Sequence, residues 1–372
     1  MKNPIEIIAN FDVGDDVSAI GCEPLGDGHI NNTWKIQLNN GSNLVIQKLN
    51  DNVFPDTHVV ADNVAVVSRY LSAQMRMHRR GQRTETIRLI PTQTGQSCHV
   101  DEEGGCWRVM EFWENIKAPA TAENTEHVAE AGRALGTFHK LTADLNVGAL
   151  KFSLPDFHIT PYYLRHYDQV IHRQDPPAVP NHRKDYYDYC TRFIDEHRHL
   201  TNILAYALTN DELELRPTHN DPKLDNIAID IATNKAVGML DLDTVQPGLI
   251  LHDIADLARS SCNVRGENTQ DFGAVSFDIE LFSALLEGYV ESAPTVLSEY
   301  DFKYMYDALK ILPFELGLRY FDDYNDKERD YFKQDPENPE SKLERAITQF
   351  SLCESIEQQE HEIKSIISRC QH

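Results

Sequence analysis

The chain has 372 residues, 41% of them hydrophobic and 25% charged, enough for one large or two medium domains with a packed core. Lys and Arg number 35 against 59 Asp and Glu, a formal net charge of -24. Such an acidic surface repels nucleic acid and anionic lipid, so neither is expected as a partner.

The first predicted elements are strands. Trp34–Leu38 alternates, 39–42 (Asn-Asn-Gly-Ser) supplies turn chemistry, and Leu44–Leu49 follows as a more buried strand, which reads as a β-hairpin. Val60, Val64, Val67 and Leu71 then mark one face of a helix from about Thr57 to Met77. Thr86–Leu89 and Cys106–Trp113 read as further strands. Residues 115–124, small, polar and containing Pro119, read as a linker. Beyond it Val128, Ala131, Leu135 and Phe138 define a helix, and Tyr186, Tyr189, Phe193, Leu200 and Leu204 a long one, with a loop at Pro176, Pro177 and Pro180. Ile227–Ile231 and Val237–Leu240 form a short strand pair, and Phe277–Tyr289, Phe302–Tyr320 and Leu343–Ile367 are helical. The expected organisation is a strand-rich domain over 1–114, a hinge over 115–124 and a helical domain over 125–372. Cysteines at 22, 98, 106, 190, 262, 353 and 370 are odd in number and lack C-x-x-C spacing, which speaks for a reducing compartment. With no secretory h-region and no long apolar run, the expectation is a cytoplasmic chain with no membrane contact.

The chemistry concentrates in Thr218-His219-Asn220-Asp221-Pro222-Lys223-Leu224-Asp225-Asn226, which contains H-x-D-x-x-x-x-N, and in Asp241 at the end of the following strand pair. Phosphoryl transfer needs a carboxylate to take the proton of the attacking hydroxyl, hard oxygen ligands for Mg²⁺, and a cation for the transferred group. Asp221 fits the base, Asn226 and Asp241 the metal ligands, and Lys223 is placed to reach the γ-phosphate. Mn²⁺ is an acceptable substitute for Mg²⁺, and ATP is the expected co-substrate. His219 reads as structural, orienting the loop, and Asp225 as a solvated turn residue.

The run from Thr218 to Arg259 resembles the aminoglycoside phosphotransferase and choline kinase superfamily, with His219-Asn220-Asp221 in place of the usual H-G-D. Within it the sequence is most similar to the N-acetylhexosamine 1-kinases, through 26–33 (GDGHINNT), the T-H-N-D-x-K-L-x-N loop, Asp241–Gly248 (D-L-D-T-V-x-P-G) and 318–324 (LRYFDDY). The resemblance implies an α+β, bilobal, protein-kinase-like fold. It has a small antiparallel β-sheet N-lobe and a large, mainly helical C-lobe, with ATP between the lobes and sugar in the helical one. The implied reaction is transfer to the anomeric hydroxyl of GlcNAc or GalNAc, by a monomer or weak homodimer.

Further residues follow from the same reading. Gly26 and Gly28 suit a phosphate-covering turn, since glycine admits backbone N–H groups close to phosphate. Gln47 and Lys48 compete for the strand cation's place and point to opposite faces; Lys48 is favoured. Glu111 and Phe112 end a strand before the linker, where backbone groups would suit adenine. Substrate contacts are expected from His29, Asp221, Asp243 and Arg319, with Tyr331 as a companion; Asp243 reads equally as a metal ligand or as a hydrogen-bonded loop carboxylate. Asp253 and Asp256 read as structural, at a helix start. Arg319 stands in an apolar run, where a cation needs a partner. Two other readings stand beside the sugar kinase: a kinase for an aminoglycoside, choline or homoserine hydroxyl, and an inactive nucleotide-binding module.

Overall fold

Strands β1 (Ala19–Pro24), β2 (Asn32–Leu38), β3 (Asn43–Lys48), β4 (Leu89–Ile90), β5 (His99–Val100) and β6 (Cys106–Glu111) form one antiparallel sheet in the order β1–β2–β3–β6–β4, with β5 also paired to β6. The computed structural model describes residues 2–26, 30–77, 83–172, 181–326 and 340–371, and the chain divides into two compact units. The first gathers Met1–Lys117, Leu141–Pro155 and Ala228–Pro247.

The strand register decides what this sheet buries. Trp34 pairs with Ile46, Ile46 with Val109, and Lys48 with Trp107, so these side chains share a face with Ile36, Leu38 and Leu44. That face packs on Ile7 and Ile8, of helix α1 (Pro4–Ile7) and the turn after it, and on Phe11. The opposite face carries Thr33, Gln47 and Arg108. Helix α2 (Thr57–Met77) buries Val60, Val64, Val67 and Leu71, as their spacing predicts. The strand expected over Thr86–Leu89 shrinks to β4, and the one over Cys106–Trp113 ends at Glu111. Within 115–124, Ile116–Lys117 forms β7, because the edge of the hairpin strand Ile227–Asp230 offers Ile229 and Asp230 as ladder partners. The hairpin's other strand is Ala236–Met239.

The second unit holds Ala118–Lys140, Asp156–Ile227 and Gly248–His372. Its helices are α3 (Thr125–Thr142), α4 (Thr160–Ile171), α5 (Lys184–His197), α6 (Ile203–Thr209), α7 (Ile250–Ser261), α8 (Ile279–Ser292), α9 (Glu299–Asn325), α10 (Ser341–Gln358) and α11 (Glu360–Gln371). Helix α9 starts with a reciprocal Ser298–Asp301 cap and is buried along almost its whole length against α4, α7, α10 and α11, so it is the core helix of this unit. The single long helix expected from Tyr186 to Leu204 is two helices. Arg198–Asn202 forms a 3₁₀ turn between α5 and α6, where Arg198 reaches Asp168 and Thr201 Oγ1 donates to the Arg198 carbonyl at 2.8 Å. The expected helix Leu343–Ile367 likewise breaks at Gln359, whose amide donates to the Phe277 carbonyl at 2.8 Å. Among the described residues no helix is long and apolar enough to cross a membrane. The proline loop at 176–180 lies outside the described residues.

Candidate active site

In the second unit, strand Arg216–Thr218 delivers the chain into a buried bend. Thr218, His219 and Asn220 are all buried, and Asn220 takes a left-handed φ of +65°. The bend is held by Asp253 in the first turn of α7. Its two oxygens accept the N–H groups of His219 and Asn220, each at 2.7 Å, and His139 of α3 closes from the other side at 2.9 Å. The second His139 nitrogen faces the Tyr289 hydroxyl at 2.8 Å. Burial opposes the charge on Asp253, but the hydrogen bond and charge of His139 and the backbone N–H of His219 outweigh it and hold the carboxyl below its usual range. His219 accepts the Asp221 N–H on Nδ1 at 3.3 Å, which is the orienting role expected of it.

This scaffold leaves the Asp221 side chain about one-third exposed, with Lys223 Nζ 3.9 Å from it and 3.7 Å from Asp225. The Asn226 amide nitrogen donates to the Asp221 carbonyl at 2.8 Å and to its carboxylate at 3.3 Å. These bonds commit the Asn226 nitrogen to Asp221. Arg319, on α9, is buried with its guanidinium 5.1 Å from the ring centroids of both Phe157 and Tyr163. Its helix neighbours Asp322 and Asp323 approach His166 (2.5 Å) and Lys342 (3.7 Å) respectively.

In the first unit, Asp241 follows the apolar strand Ala236–Met239 in the left-handed region (φ +52°). Asp243 is buried and turned inward. One oxygen takes a salt bridge from Arg108 and the other a 2.5 Å hydrogen bond from Asn31. Gln47 completes the network, accepting from Arg108 at 2.6 and 3.0 Å and donating to Thr33 at 3.0 Å. Asn31 in turn accepts the Asn50 N–H at 3.0 Å. Asp243 is thus committed to Arg108 and Asn31, since a carboxylate removed from water needs such partners.

Lys48, expected to serve the phosphates, sits on the other face of β3, 5.7 Å from the Trp107 ring. Nearby Asp101 accepts from Trp107 Nε1 at 2.7 Å and Gly105 N at 2.8 Å. Burial opposes its charge, but these donors, and then Lys48, outweigh burial and hold its carboxyl below the usual range. Arg108 and Lys35 lie on the Gln47 face, and Arg108 is the cation that binds Asp243; it was not among the expected site residues. An arginine inside the strand Cys106-Trp107-Arg108-Val109-Met110 was the available signal. Gly26 has φ +70°, a conformation that favours glycine. The Glu111 N–H donates to the Arg88 carbonyl at 3.0 Å, and Lys35 lies 4.8 Å over the Phe112 ring. Gly28, His29 and Tyr331 lie outside the described residues. Among those described, no three His, Cys, Asp or Glu side chains are arranged to hold a metal by themselves.

Residues 21–289 match the phosphotransferase enzyme family (APH), and the chain belongs to that family. Solved structures similar to it include an aminoglycoside phosphotransferase from Alicyclobacillus acidocaldarius (17% identity, 97% of each chain covered, TM-score 0.62). A choline kinase from Cryptosporidium parvum is also similar (16% identity, 98% of this chain and 96% of that one, TM-score 0.57). So is an amicoumacin kinase in complex with AMP-PNP and Ca²⁺ (14% identity, 89% of this chain and 87% of that one, TM-score 0.57). At these identities the likeness establishes a shared protein-kinase-like α+β fold.

Proposed function

We propose that this phosphotransferase is an ATP-dependent kinase acting on the anomeric hydroxyl of an N-acetylhexosamine, GlcNAc or GalNAc, in the cytoplasm. The observation that carries the kinase reading is the clamped loop of the second unit, which fixes its backbone on Asp253 and leaves the Asp221 carboxylate partly exposed beside Lys223 and Asn226. Asp221 takes the proton of the attacking hydroxyl and aligns the oxygen. Lys223 offsets charge on the γ-phosphate. Asn226 and Asp241 are the residues that would hold Mg²⁺, or Mn²⁺, which when bound supplies charge neutralisation on the phosphates. Among the nucleotide residues Gly26 and Gly28 cover phosphate, and the backbone near Glu111 and Phe112 serves adenine. Arg108 is a stronger candidate than Lys48 for the strand cation.

The choice of acceptor rests on the resemblance and on Arg319, a buried cation that suits a neutral, hydroxyl-rich ligand and repels an amine. His29, Asp243 and Tyr331 are further sugar candidates, with Asp243 acting through Arg108 and Asn31. A second reading, an amine-bearing acceptor, is favoured by the names of two relatives, an aminoglycoside phosphotransferase and a choline kinase, and by the net charge of -24. An inactive module is disfavoured by the presence of Asp221, Asn226 and Asp241. Incubation with Mg-ATP and GlcNAc, GalNAc, choline, homoserine or an aminoglycoside, read by ³¹P NMR, separates them. The expected product is an acid-labile hexosamine 1-phosphate, absent in excess EDTA. An acid-stable ester on an amino alcohol as sole product overturns the sugar reading.

A further inference from the structure

His158 occupies a left-handed backbone position (φ +58°) just before α4, and only 7% of its side chain is exposed. Its Nδ1 lies 2.9 Å from Glu315 Oε1, and its Nε2 lies 3.1 Å from the carbonyl oxygen of Asn220. The second Glu315 oxygen accepts the Thr160 hydroxyl at 2.6 Å. Both ring nitrogens therefore face acceptors. A neutral imidazole has one N–H and cannot satisfy both, whereas an imidazolium can, with Glu315 as its counter-charge.

The Asn220 carbonyl belongs to the peptide that continues into Asp221. The N–H of the same residue is held by Asp253. Asn220 is thus gripped at both ends, in a left-handed conformation that asparagine adopts more readily than most residues. We propose that His158 is a positioning residue for phosphoryl transfer: as an imidazolium tied to Glu315, it donates to the Asn220 carbonyl and so fixes the peptide that carries Asp221. The proposal rests on Asp221 being the base and is independent of which acceptor is used.

The surroundings agree in sign. Burial works against a charged His158, but Glu315, the Asn220 carbonyl and Asp256 of α7 outweigh it and raise its pKa above the ordinary value. His252, whose ring centre is 4.9 Å away, is pushed down to about 3 by burial and by His158, so it stays neutral and adds no repulsion. Burial likewise opposes the charge of Glu315, which His158 and then Arg319 hold below the usual range. Asp253 of α7 is the remaining charge that bears on His252. A raised histidine keeps its proton below the ordinary value near 6.5 and loses it as pH rises through the higher folded-state value, so the grip is lost on the alkaline side.

The test compares the wild type with His158→Gln and His158→Phe between pH ~6 and ~9. The readouts are histidine ring NMR, hydrogen exchange at the amides of residues 219–226, and kcat and KM with Mg-ATP and GlcNAc. Wild type should show a histidine resonance, lost in both variants, that titrates above the ordinary value. Its loop exchange, corrected for intrinsic rates, should rise through that same titration. His158→Phe should exchange faster at every pH and lose about 10- to 100-fold in kcat, the factor expected for a lost charge-assisted hydrogen bond, with ATP KM little changed. His158→Gln, which can donate without titrating, should recover much of the protection and flatten its pH dependence. A resonance titrating below the ordinary value, or loop exchange with the same pH profile in all three proteins, overturns the proposal. Should the wild type phosphorylate no GlcNAc, the acceptor reading fails, and the NMR and exchange results still decide the role of His158.

Discussion

Arg319 is a cation buried on α9 between two aromatic rings. Its guanidinium lies over the faces of Phe157 and Tyr163, contacts that orient a planar cation. If its N–H groups read the sugar, Arg319→Ala should raise the acceptor KM by roughly 5- to 150-fold, corresponding to about 1–3 kcal/mol for one polar site left without its partner. ATP KM should change little. A variant with normal sugar KM and a lowered melting temperature would instead make Arg319 a residue that only holds α9. Its burial in an apolar run was legible in the sequence. Arg108 stood out in the sequence only as an arginine inside an apolar strand; its role was not legible, because the partners that admit a charge there, Gln47 and Asp243, are far apart in the chain.

At the scale of elements, α3 and α8 cross so closely that glycine is required on both. A Cβ at Gly132 would strike the Leu285 carbonyl, and one at Gly288 would strike the Ala129 carbonyl. Backbone cannot yield as a side chain tip can. Gly288→Ala should therefore destabilise the protein by about 1–3 kcal/mol, the usual cost of overpacking, with an unchanged denaturant m-value; wild-type stability in urea would contradict the crossing. Helix α2 was legible because it buries one face at the helical period, and α3 because Val128, Ala131, Leu135 and Phe138 recur at that period, although α3 is buried on most of its sides. The breaks at Arg198–Asn202 and Gln359 were not, since each is fixed by bonds to distant partners, Asp168 in one case and Phe277 in the other.

At the scale of the molecule, the motif order His219, Asp221, Asn226 and Asp241 carried the functional class, and the APH match agrees with it. The sequence did not disclose that 141–155 and 228–247 return to the first unit. Those returns are tied down by a few polar side chains that leave no periodic trace. Asn63, buried on α2, donates to the carbonyls of Lys151 at 2.7 Å and Val245 at 2.9 Å, and Gln246 accepts the Leu154 N–H at 2.9 Å. The buried Asp253 clamp was legible only as a structural carboxylate at a helix start. The direct test of Asp221 as the proton acceptor of a phosphoryl transfer is kcat and nucleotide affinity measured on one preparation of Asp221→Asn. Turnover should fall by about 10²- to 10⁴-fold while nucleotide Kd stays near wild type. A variant that keeps near-normal kcat would contradict that role.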